Sequence, residues 1–137
     1  MTISISKADY QSILTHARTA VPNETCGLIA GFTDGKNKTV KKVYMLTNLD
    51  NSAEHFSLDP KEHLAAVKDM RANGFVPLGS FHSHPTTPAR PSDEDIRLAY
   101  DGSASYLILS LTADEPALKS FYIENGTANE ENLKIIV

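Results

Sequence analysis

The sequence predicts an α/β domain in which a mixed β-sheet has helices packed on its faces. Three stretches with helix-capping signals are interleaved with six β-like runs, and hairpin turns are expected at 33–35 and 114–116. Tyr106–Leu109 is a nearly continuous apolar run, which indicates a central strand covered on both faces. Helices interleaved with hairpin-joined strands imply a sheet that contains strands of both directions.

Three helices are expected from capping residues and apolar spacing. The first follows Ser6, whose spacing to an acid three residues later resembles a capping box, and it ends at Pro22. The second begins at Asp59-Pro60 and stops at Asn73-Gly74, and a shorter third helix opens at Pro91–Asp95. The residues expected to face the core recur at helical spacing: Ile13, Leu14, Ala17, Val21, Leu64, Val67, Met70, Ile96, Ala99 and Tyr100.

The β-like runs and the connections between them follow from composition. The polar stretch Glu124–Asn132 is expected to be a loop before the last strand. The lysines at 36, 38, 41 and 42 are expected to lie on a solvated hairpin that protects an edge strand. The predicted strands are Cys26–Phe32, Thr39–Thr47, Phe75–His82, Ser105–Leu111, Ala117–Ile123 and Leu133–Val137.

Composition excludes several classes of function. A length of 137 residues fits a single domain spanning 1–137. A net charge of −4 argues against a nucleic-acid partner, which would require a basic face. No apolar run approaches the roughly 18–20 residues needed to span a bilayer, and Met1–Tyr10 has no signal-peptide hydrophobic region, so we expect a cytoplasmic protein. Because Cys26 is the only cysteine, any bound metal is expected to be held by histidine and carboxylate side chains.

One cluster of residues points to metal chemistry. His82 and His84 are two residues apart, so on an extended chain both imidazoles point to the same face. Prolines stiffen the segment that follows, and Asp95 on the first turn of the third helix is a plausible third ligand. Two imidazoles and one carboxylate leave an open position for water, as in catalytic zinc sites. Ser92 and Asp95 also have the spacing of an ordinary capping box, a role compatible with metal binding.

These residues resemble two motifs of the JAMM (MPN+) metalloproteases. His82-Ser83-His84-Pro85, six further residues and then Ser92-Asp93-Glu94-Asp95 match the His-x-His-Pro-x6-Ser-x-x-Asp signature of that family. Residues 22–31 (Pro-Asn-Glu-Thr-Cys-Gly-Leu-Ile-Ala-Gly) resemble its Pro-x-Glu-x-Cys-Gly-x-x-x-Gly segment. Both motifs occur in the order found in the family, and the resemblance covers essentially the whole chain.

The resemblance implies a fold and a set of roles. The fold would be an α/β/α arrangement with a curved sheet, related to the cytidine deaminases, and His82, His84 and Asp95 would bind one zinc ion per chain. Glu24 would activate the zinc-bound water and later protonate the leaving amine. Ser92 would donate a hydrogen bond to the tetrahedral oxyanion, a contact that can contribute roughly 10²–10³-fold to turnover.

The resemblance also implies a substrate class. The family hydrolyses peptide or isopeptide bonds at the C-terminus of ubiquitin-like proteins. This chain is close to the minimal catalytic domain and resembles small prokaryotic members that act on β-grasp sulfur-carrier proteins ending in Gly-Gly. We therefore expect a zinc peptidase or isopeptidase that cleaves after the Gly-Gly of such a carrier, which would be its partner. Nothing in the sequence requires an oligomer.

Two alternatives use the same residues. A catalytically silent MPN scaffold would bind a ubiquitin-like partner, but here every ligand position of the motif is filled. An iron(II) enzyme with two histidines and one carboxylate has the same ligand types, but its acid usually lies between the two histidines. Cytidine deamination is disfavoured because its zinc site uses paired cysteines.

The remaining candidates are expected to be structural. Cys26 is predicted to be a buried core residue rather than a nucleophile. Gly27 and Gly31 are predicted to allow close packing or a bulge rather than to bind a ligand. His55 precedes a segment that could approach the cleft, but it lacks a motif context. The histidines expected to be surface or packing residues are His16, His55 and His63.

Overall fold

The computed structural model describes residues 1–99 and 101–137, and these residues form seven strands and three helices. Their order is β1 (Thr2–Ser6), α1 (Lys7–Ala20), β2 (Cys26–Thr33), β3 (Asn37–Leu46), α2 (Pro60–Ala72), β4 (Val76–His84), α3 (Asp93–Leu98), β5 (Ser105–Ser110), β6 (Ala117–Glu124) and β7 (Thr127–Ile136). In these residues we find no helix with the length and apolar composition needed to cross a membrane.

The seven strands form one mixed sheet that curves until it closes. The strand order is β1-β3-β2-β4-β5-β6-β7, and β7 pairs with β1 to complete a barrel. The pairs β1–β3, β1–β7 and β4–β5 are parallel, whereas the other four pairs are antiparallel. The predicted mixed sheet is confirmed, and its curvature extends to closure.

The two faces of β2 pack against different cores. Cys26 and Leu28 point to the outer side, where Ala66 and Met70 of α2 cover them. Ile29 points to the opposite, inner side, because side chains alternate along a strand, and there it packs in a core that includes residues of α1. The helices therefore flank the sheet, as predicted. The buried residues of the interior core are Ile3, Ile5, Ile13, Leu14, Ala17, Ile29, Val40, Leu78, Phe81, Leu107 and Leu109.

Gly27 allows β4 to pack tightly against β2. It pairs with Phe81, and a Cβ atom at Gly27 would lie 2.3 Å from the Phe81 ring and 2.1 Å from the carbonyl oxygen of Tyr44. At Gly31 a Cβ atom would lie 2.0 Å from the carbonyl oxygen of Thr39. The predicted packing role of both glycines is confirmed.

Five of the six predicted strands agree with the structure to within two residues at each end. The predicted loop Glu124–Asn132 is wrong, because β7 already begins at Thr127. Asn125 and Gly126 form a two-residue turn in which both have positive φ angles, 52° and 75°, as a type I′ hairpin turn requires. Strand β1 was not predicted, although it closes the barrel between β3 and β7.

The predicted helices are confirmed, but some of their expected core residues are wrong. Leu64 is 56% exposed, because α2 turns Ala66 and Met70 towards the sheet instead. Val21 lies just beyond the end of α1 and is 49% exposed. Helix α3 has no buried residue within Asp93–Leu98, and the expectation for Tyr100 lies outside the described residues.

The expectation for the lysine-rich hairpin is wrong in one respect. Strand β3 pairs with both β1 and β2, so it is not an edge strand. Lys38 is only 9% exposed, and its Nζ donates to the carbonyl oxygen of Ser103 (2.6 Å) and the hydroxyl of Ser105 (2.8 Å). Lys36, Lys41 and Lys42 are exposed, as expected.

Candidate metal centre and its cleft

The pairing of β2 with β4 determines which side of the sheet carries the two histidines. Cys26 pairs with His82, and directly opposed residues point to the same face. Because Cys26 packs against α2, His82 also lies on the α2 side. His84 points to the same side, because residues two apart on a strand share a face. Both side chains are buried, with 3% and 4% exposure.

Three ligand atoms converge at the end of β4. The Nε2 atoms of His82 and His84 are 3.1 Å apart, and they lie 3.1 Å and 3.3 Å from Oδ2 of Asp95. Ligands bound tetrahedrally at zinc–ligand distances of 2.0–2.1 Å are about 3.3 Å from one another. The spacing and chemistry of this group therefore fit a zinc ion, with one coordination position left for water or substrate. The structure brings together the three residues that the sequence identified as candidate ligands.

The loop after β4 orients the imidazole of His84. Its Nδ1 lies 2.9 Å from the carbonyl oxygen of Pro88, which can only accept a hydrogen bond. Nδ1 must therefore carry the proton, so the neutral ring presents the lone pair of Nε2 to the candidate metal position. The loop is itself held by Ser110, whose hydroxyl donates to the carbonyl oxygen of Thr87 at 2.6 Å.

Asp95 combines the capping role with its position in the cluster. Ser92 is the N-cap of α3 and accepts a hydrogen bond from the Asp95 N–H at 3.0 Å, while Asp95 Oδ2 accepts one from the Ser92 N–H at 2.9 Å. Burial alone would raise the pKa of the Asp95 carboxyl. The imidazoles of His82 and His84, both within hydrogen-bonding distance of Oδ2, outweigh burial and hold this pKa far below its usual range.

Glu24 lies just before β2 in an environment that favours its neutral form. The residue is 6% exposed, and burial raises the pKa of its carboxyl to about 7. The charges of Asp95 and Glu94 also raise this pKa, whereas those of His84 and His55 lower it. The backbone of Glu24 lies near the cluster, because the N–H of the next residue, Thr25, donates to the hydroxyl of Ser83 at 2.8 Å. A carboxyl that titrates near neutral pH can both accept and return a proton.

A cleft of about 460 Å³ opens beside His82 and Asp95. One wall comes from α3 and the other from residues 47–59, which join β3 to α2 and which we call the cleft loop. The ring of Phe56 stacks on His82 with centroids 4.7 Å apart and planes at 26°. His55 Nδ1 lies 2.6 Å from Glu94 Oε2, so the cleft loop contacts α3 across the cleft.

Several residues of this site were not identified from the sequence. Phe56 and Asn48 carried no motif signal, and His55 was expected to be a surface or packing residue. His55 is half-exposed, but it lines the cleft, so that expectation was incomplete. His63 also lines the cleft and is exposed. A separate cavity of about 630 Å³ beside Lys38 lacks the converging histidine and carboxylate atoms.

Cys26 is fully buried, as predicted. Burial raises the pKa of its thiol to about 12, and the negative charges of Glu62, Glu24 and Asp50 add to the effect. The thiol is therefore protonated at neutral pH and does not act as a nucleophile.

The chain is similar in sequence to known peptidases. The family described as prokaryotic homologs of the JAB domain matches residues 6–124. The CysO-cysteine peptidase of Mycobacterium tuberculosis (strain ATCC 25618 / H37Rv) is 32% identical over 137 residues, covering 98% of this chain and 92% of the relative. The desampylase of Pyrococcus furiosus is 29% identical over 109 residues, covering 80% of this chain and 75% of the relative.

Solved structures share the fold. The solution structure of protein DSY2949 from Desulfitobacterium hafniense is 55% identical with a TM-score of 0.89, covering 97% of this chain and 92% of that one. The crystal structure of AF2198, a JAB1/MPN domain protein from Archaeoglobus fulgidus, is 25% identical with a TM-score of 0.62, covering 98% and 99%. These similarities extend over nearly the full length of the chain described here.

Proposed function

The chain belongs to the family of prokaryotic homologs of the JAB domain and is a hydrolase of the JAMM type, and we propose that it is a zinc-dependent peptidase or isopeptidase. Its substrate is a ubiquitin-like β-grasp sulfur-carrier protein, and the bond cleaved follows the C-terminal Gly-Gly of that carrier. The observation that carries this proposal is the convergence of two imidazole nitrogens and one carboxylate oxygen at separations of 3.1–3.3 Å.

The substrate class is supported by the relatives. The relatives named CysO-cysteine peptidase and desampylase support a substrate of the ubiquitin-like carrier class. A Gly-Gly tail suits a site whose ligand atoms are buried, because glycine lets the scissile backbone lie close to them. The reaction is proposed to take place in the cytoplasm, the compartment expected from the sequence.

His82, His84 and Asp95 would hold one zinc ion per chain. When bound, zinc would polarise the scissile carbonyl and lower the pKa of water at its open position. The protein contributes the orientation of the ligands: Pro88 fixes the His84 ring, and the capping interaction with Ser92 fixes the carboxylate of Asp95. Ordering the ligands in this way stabilises the site against the loss of metal.

Glu24 is the proposed general base and acid. Its carboxylate takes a proton from the attacking water, and the resulting carboxylic acid gives that proton to the leaving amine. A pKa of about 7 leaves a substantial fraction of Glu24 in each form near neutral pH, which suits both halves of the reaction. General acid–base catalysis of this kind typically contributes about 10²–10⁴-fold.

Ser92 is the proposed donor to the oxyanion. Its hydroxyl oxygen accepts a hydrogen bond from the Asp95 N–H, and a hydroxyl that accepts can still donate its own proton. Ser92 is exposed, so the substrate carbonyl can approach it. The capping role and the proposed catalytic role therefore use different parts of the same hydroxyl group.

The test compares three purified proteins: wild type, Glu24→Gln and the control Glu115→Gln, which changes an exposed glutamate outside the cleft. Bound metal is measured by elemental analysis, and cleavage is measured on a β-grasp carrier extended beyond its Gly-Gly. We expect about one zinc per chain in all three proteins, and cleavage by wild type and Glu115→Gln only.

Other outcomes would contradict specific parts of the proposal. Bound iron together with oxygen uptake would contradict the peptidase proposal and indicate an iron(II) enzyme. Zinc with tight carrier binding but no cleavage in any of the three proteins would indicate a scaffold. Full activity in Glu24→Gln would remove Glu24 as the base.

A further inference from the structure

We propose that Asn48 is a positioning residue that fastens the cleft loop to the backbone of Glu24 and so fixes the position of the base relative to the cleft. This inference rests on the proposed role of Glu24. Asn48 is half-buried at the start of the cleft loop, and its backbone forms an isolated bridge to Leu58 at the other end of that loop.

The side-chain amide of Asn48 uses its full hydrogen-bonding capacity. Its Nδ2 donates to the carbonyl oxygen of Glu24 at 3.0 Å and to that of His55 at 2.9 Å. Its Oδ1 accepts from the N–H of Asp50 at 3.0 Å and from the N–H of Ser57 at 3.2 Å. An asparagine amide has two N–H donors and two acceptor lone pairs, so all four are engaged, and all four partners are backbone groups.

These four contacts require the chemistry and length of asparagine. An ionised aspartate would keep both acceptor contacts but would turn a second oxygen towards the carbonyls of Glu24 and His55, where only donors are accommodated. A glutamine has the correct groups on a side chain that is one methylene too long. The two atoms of the amide have different roles. Oδ1 orders the loop itself, whereas Nδ2 joins the loop to Glu24.

Glu24 is held by the cleft loop at both of its backbone polar groups. Its N–H donates to the carbonyl oxygen of Ser52 at 2.7 Å, and its carbonyl oxygen accepts from Asn48. The same loop carries His55 and Phe56, which contact Glu94 and His82 across the cleft. A displacement of the loop therefore displaces Glu24, and a misplacement of about 1 Å in a catalytic group can lower the rate by about 10²-fold.

Two variants of Asn48 separate positioning from simple ordering of the loop. Asn48→Ala removes all four contacts, whereas Asn48→Asp retains the acceptor contacts to Asp50 and Ser57 and loses both donor contacts. Asp50→Ala is the matched control. It removes the bond from the Ser57 hydroxyl to Asp50 Oδ2 (2.9 Å) in the same loop and leaves both backbone contacts of Glu24 in place.

The measurements are kcat and KM for carrier cleavage, and hydrogen exchange at the Glu24 amide in each protein. We expect kcat to fall about tenfold or more in Asn48→Ala and Asn48→Asp, with the exchange rate of the Glu24 amide rising by a similar factor. In Asn48→Asp the Ser57 amide should stay protected, because its acceptor remains. Asp50→Ala should keep kcat within about twofold of wild type and leave Glu24 protected.

A wild-type kcat in Asn48→Asp would overturn the inference whatever its exchange result, and so would an equal loss of kcat in Asp50→Ala. Failure of the proposed function looks different, because wild type itself would then not cleave the carrier. In that case exchange at the Glu24 amide decides alone: unchanged protection in Asn48→Asp would overturn the positioning role, and lost protection would support it.

Discussion

The hydroxyl oxygen of Ser83 accepts two hydrogen bonds from Thr25, one from its backbone N–H at 2.8 Å and one from its hydroxyl at 3.0 Å. The Ser83 N–H in turn donates to the Thr25 carbonyl oxygen at 3.0 Å. Ser83 stands between His82 and His84, and Thr25 directly follows Glu24. These three bonds therefore fix the proposed base relative to the proposed metal ligands.

Ser83→Ala should destabilise the protein. It should also lower the rate of carrier cleavage more than it lowers the affinity for zinc. Both residues are buried, at 1% and 3% exposure, so the substitution leaves the N–H and hydroxyl of Thr25 without their acceptor. We expect the free energy of unfolding in urea to fall by about 1–3 kcal/mol. Ser12→Ala, which removes an exposed helical hydroxyl, is the control and should change it by less than about 0.5 kcal/mol. Equal stability of the two variants would show that the Thr25–Ser83 contact contributes nothing.

Glu24→Gln should stabilise the metal-free protein, and the effect should grow with pH. Burial raises the pKa of Glu24 from 4.5 to about 7, so the folded protein keeps a proton that the unfolded chain releases at lower pH. The wild type therefore loses stability as the pH rises from about 4.5 to about 7, and the loss persists above 7. Glutamine does not ionise, so the variant should be more stable by about 2–3 kcal/mol above this window.

The measurement for Glu24→Gln is urea unfolding in the presence of a chelator at about pH 4 and about pH 8. The two proteins should differ little at the lower pH and clearly at the higher one. Glu115→Gln controls for the general effect of removing one negative charge. A difference between Glu24→Gln and wild type that stays constant with pH would contradict the proposed burial of the ionisable carboxyl.

Much of the fold could be predicted because local signals agree with the final structure. The capping contacts of Ser6 and Asp59 are present at the start of α1 and α2, and the apolar run in β5 is covered on both faces. Strand β1 was missed although Thr2–Ser6 alternates polar and apolar residues, the pattern of a strand with one buried face. Its partners in β3 and β7 lie far away in the sequence, with Thr2 pairing with Asn132. The Asn125-Gly126 turn was detectable, but the polar residues around it favoured a loop.

The metal ligands of the candidate site could be predicted from the sequence, whereas the contacts of the cleft loop could not. The three candidate ligands lie on one strand and one short helix, so their spacing along the chain reflects the spacing of their ligand atoms. The contacts of the cleft loop follow no regular spacing along the chain. Asn48 binds the backbone carbonyl oxygens of Glu24 and His55. Every residue type has a backbone carbonyl, so these contacts cannot be recognised from the types of the two residues. These interactions become visible only when the chain is folded.

Asp95→Asn should weaken metal binding, whereas Asp93→Asn should not. Asp93 lies in the same first turn of α3 but is exposed and outside the converging group. Replacing one carboxylate oxygen removes a charged ligand while the capping contact to Ser92 can be kept by the amide oxygen. Metal titration should show a loss of affinity of about tenfold or more for Asp95→Asn. Melting temperature should also rise less on zinc addition, because stabilisation follows affinity.

Equal zinc affinity in Asp95→Asn, Asp93→Asn and wild type would leave Asp95 with its capping role alone. An affinity lost equally in both variants would indicate a general effect of negative charge near α3 rather than a ligand at Asp95.

Lys38→Met should be the most destabilising change among the four clustered lysines. Methionine keeps most of the apolar stem but provides no donor for the carbonyl oxygen of Ser103 or the hydroxyl of Ser105, which is fully buried. It also removes the cation whose attraction acts on the buried carboxylate of Glu131. We expect the free energy of unfolding in urea to fall by about 2–4 kcal/mol, against less than about 0.5 kcal/mol for the exposed control Lys36→Met. If both variants were equally stable, the contacts of Lys38 with Ser103 and Ser105 would contribute no more to stability than those of an exposed lysine.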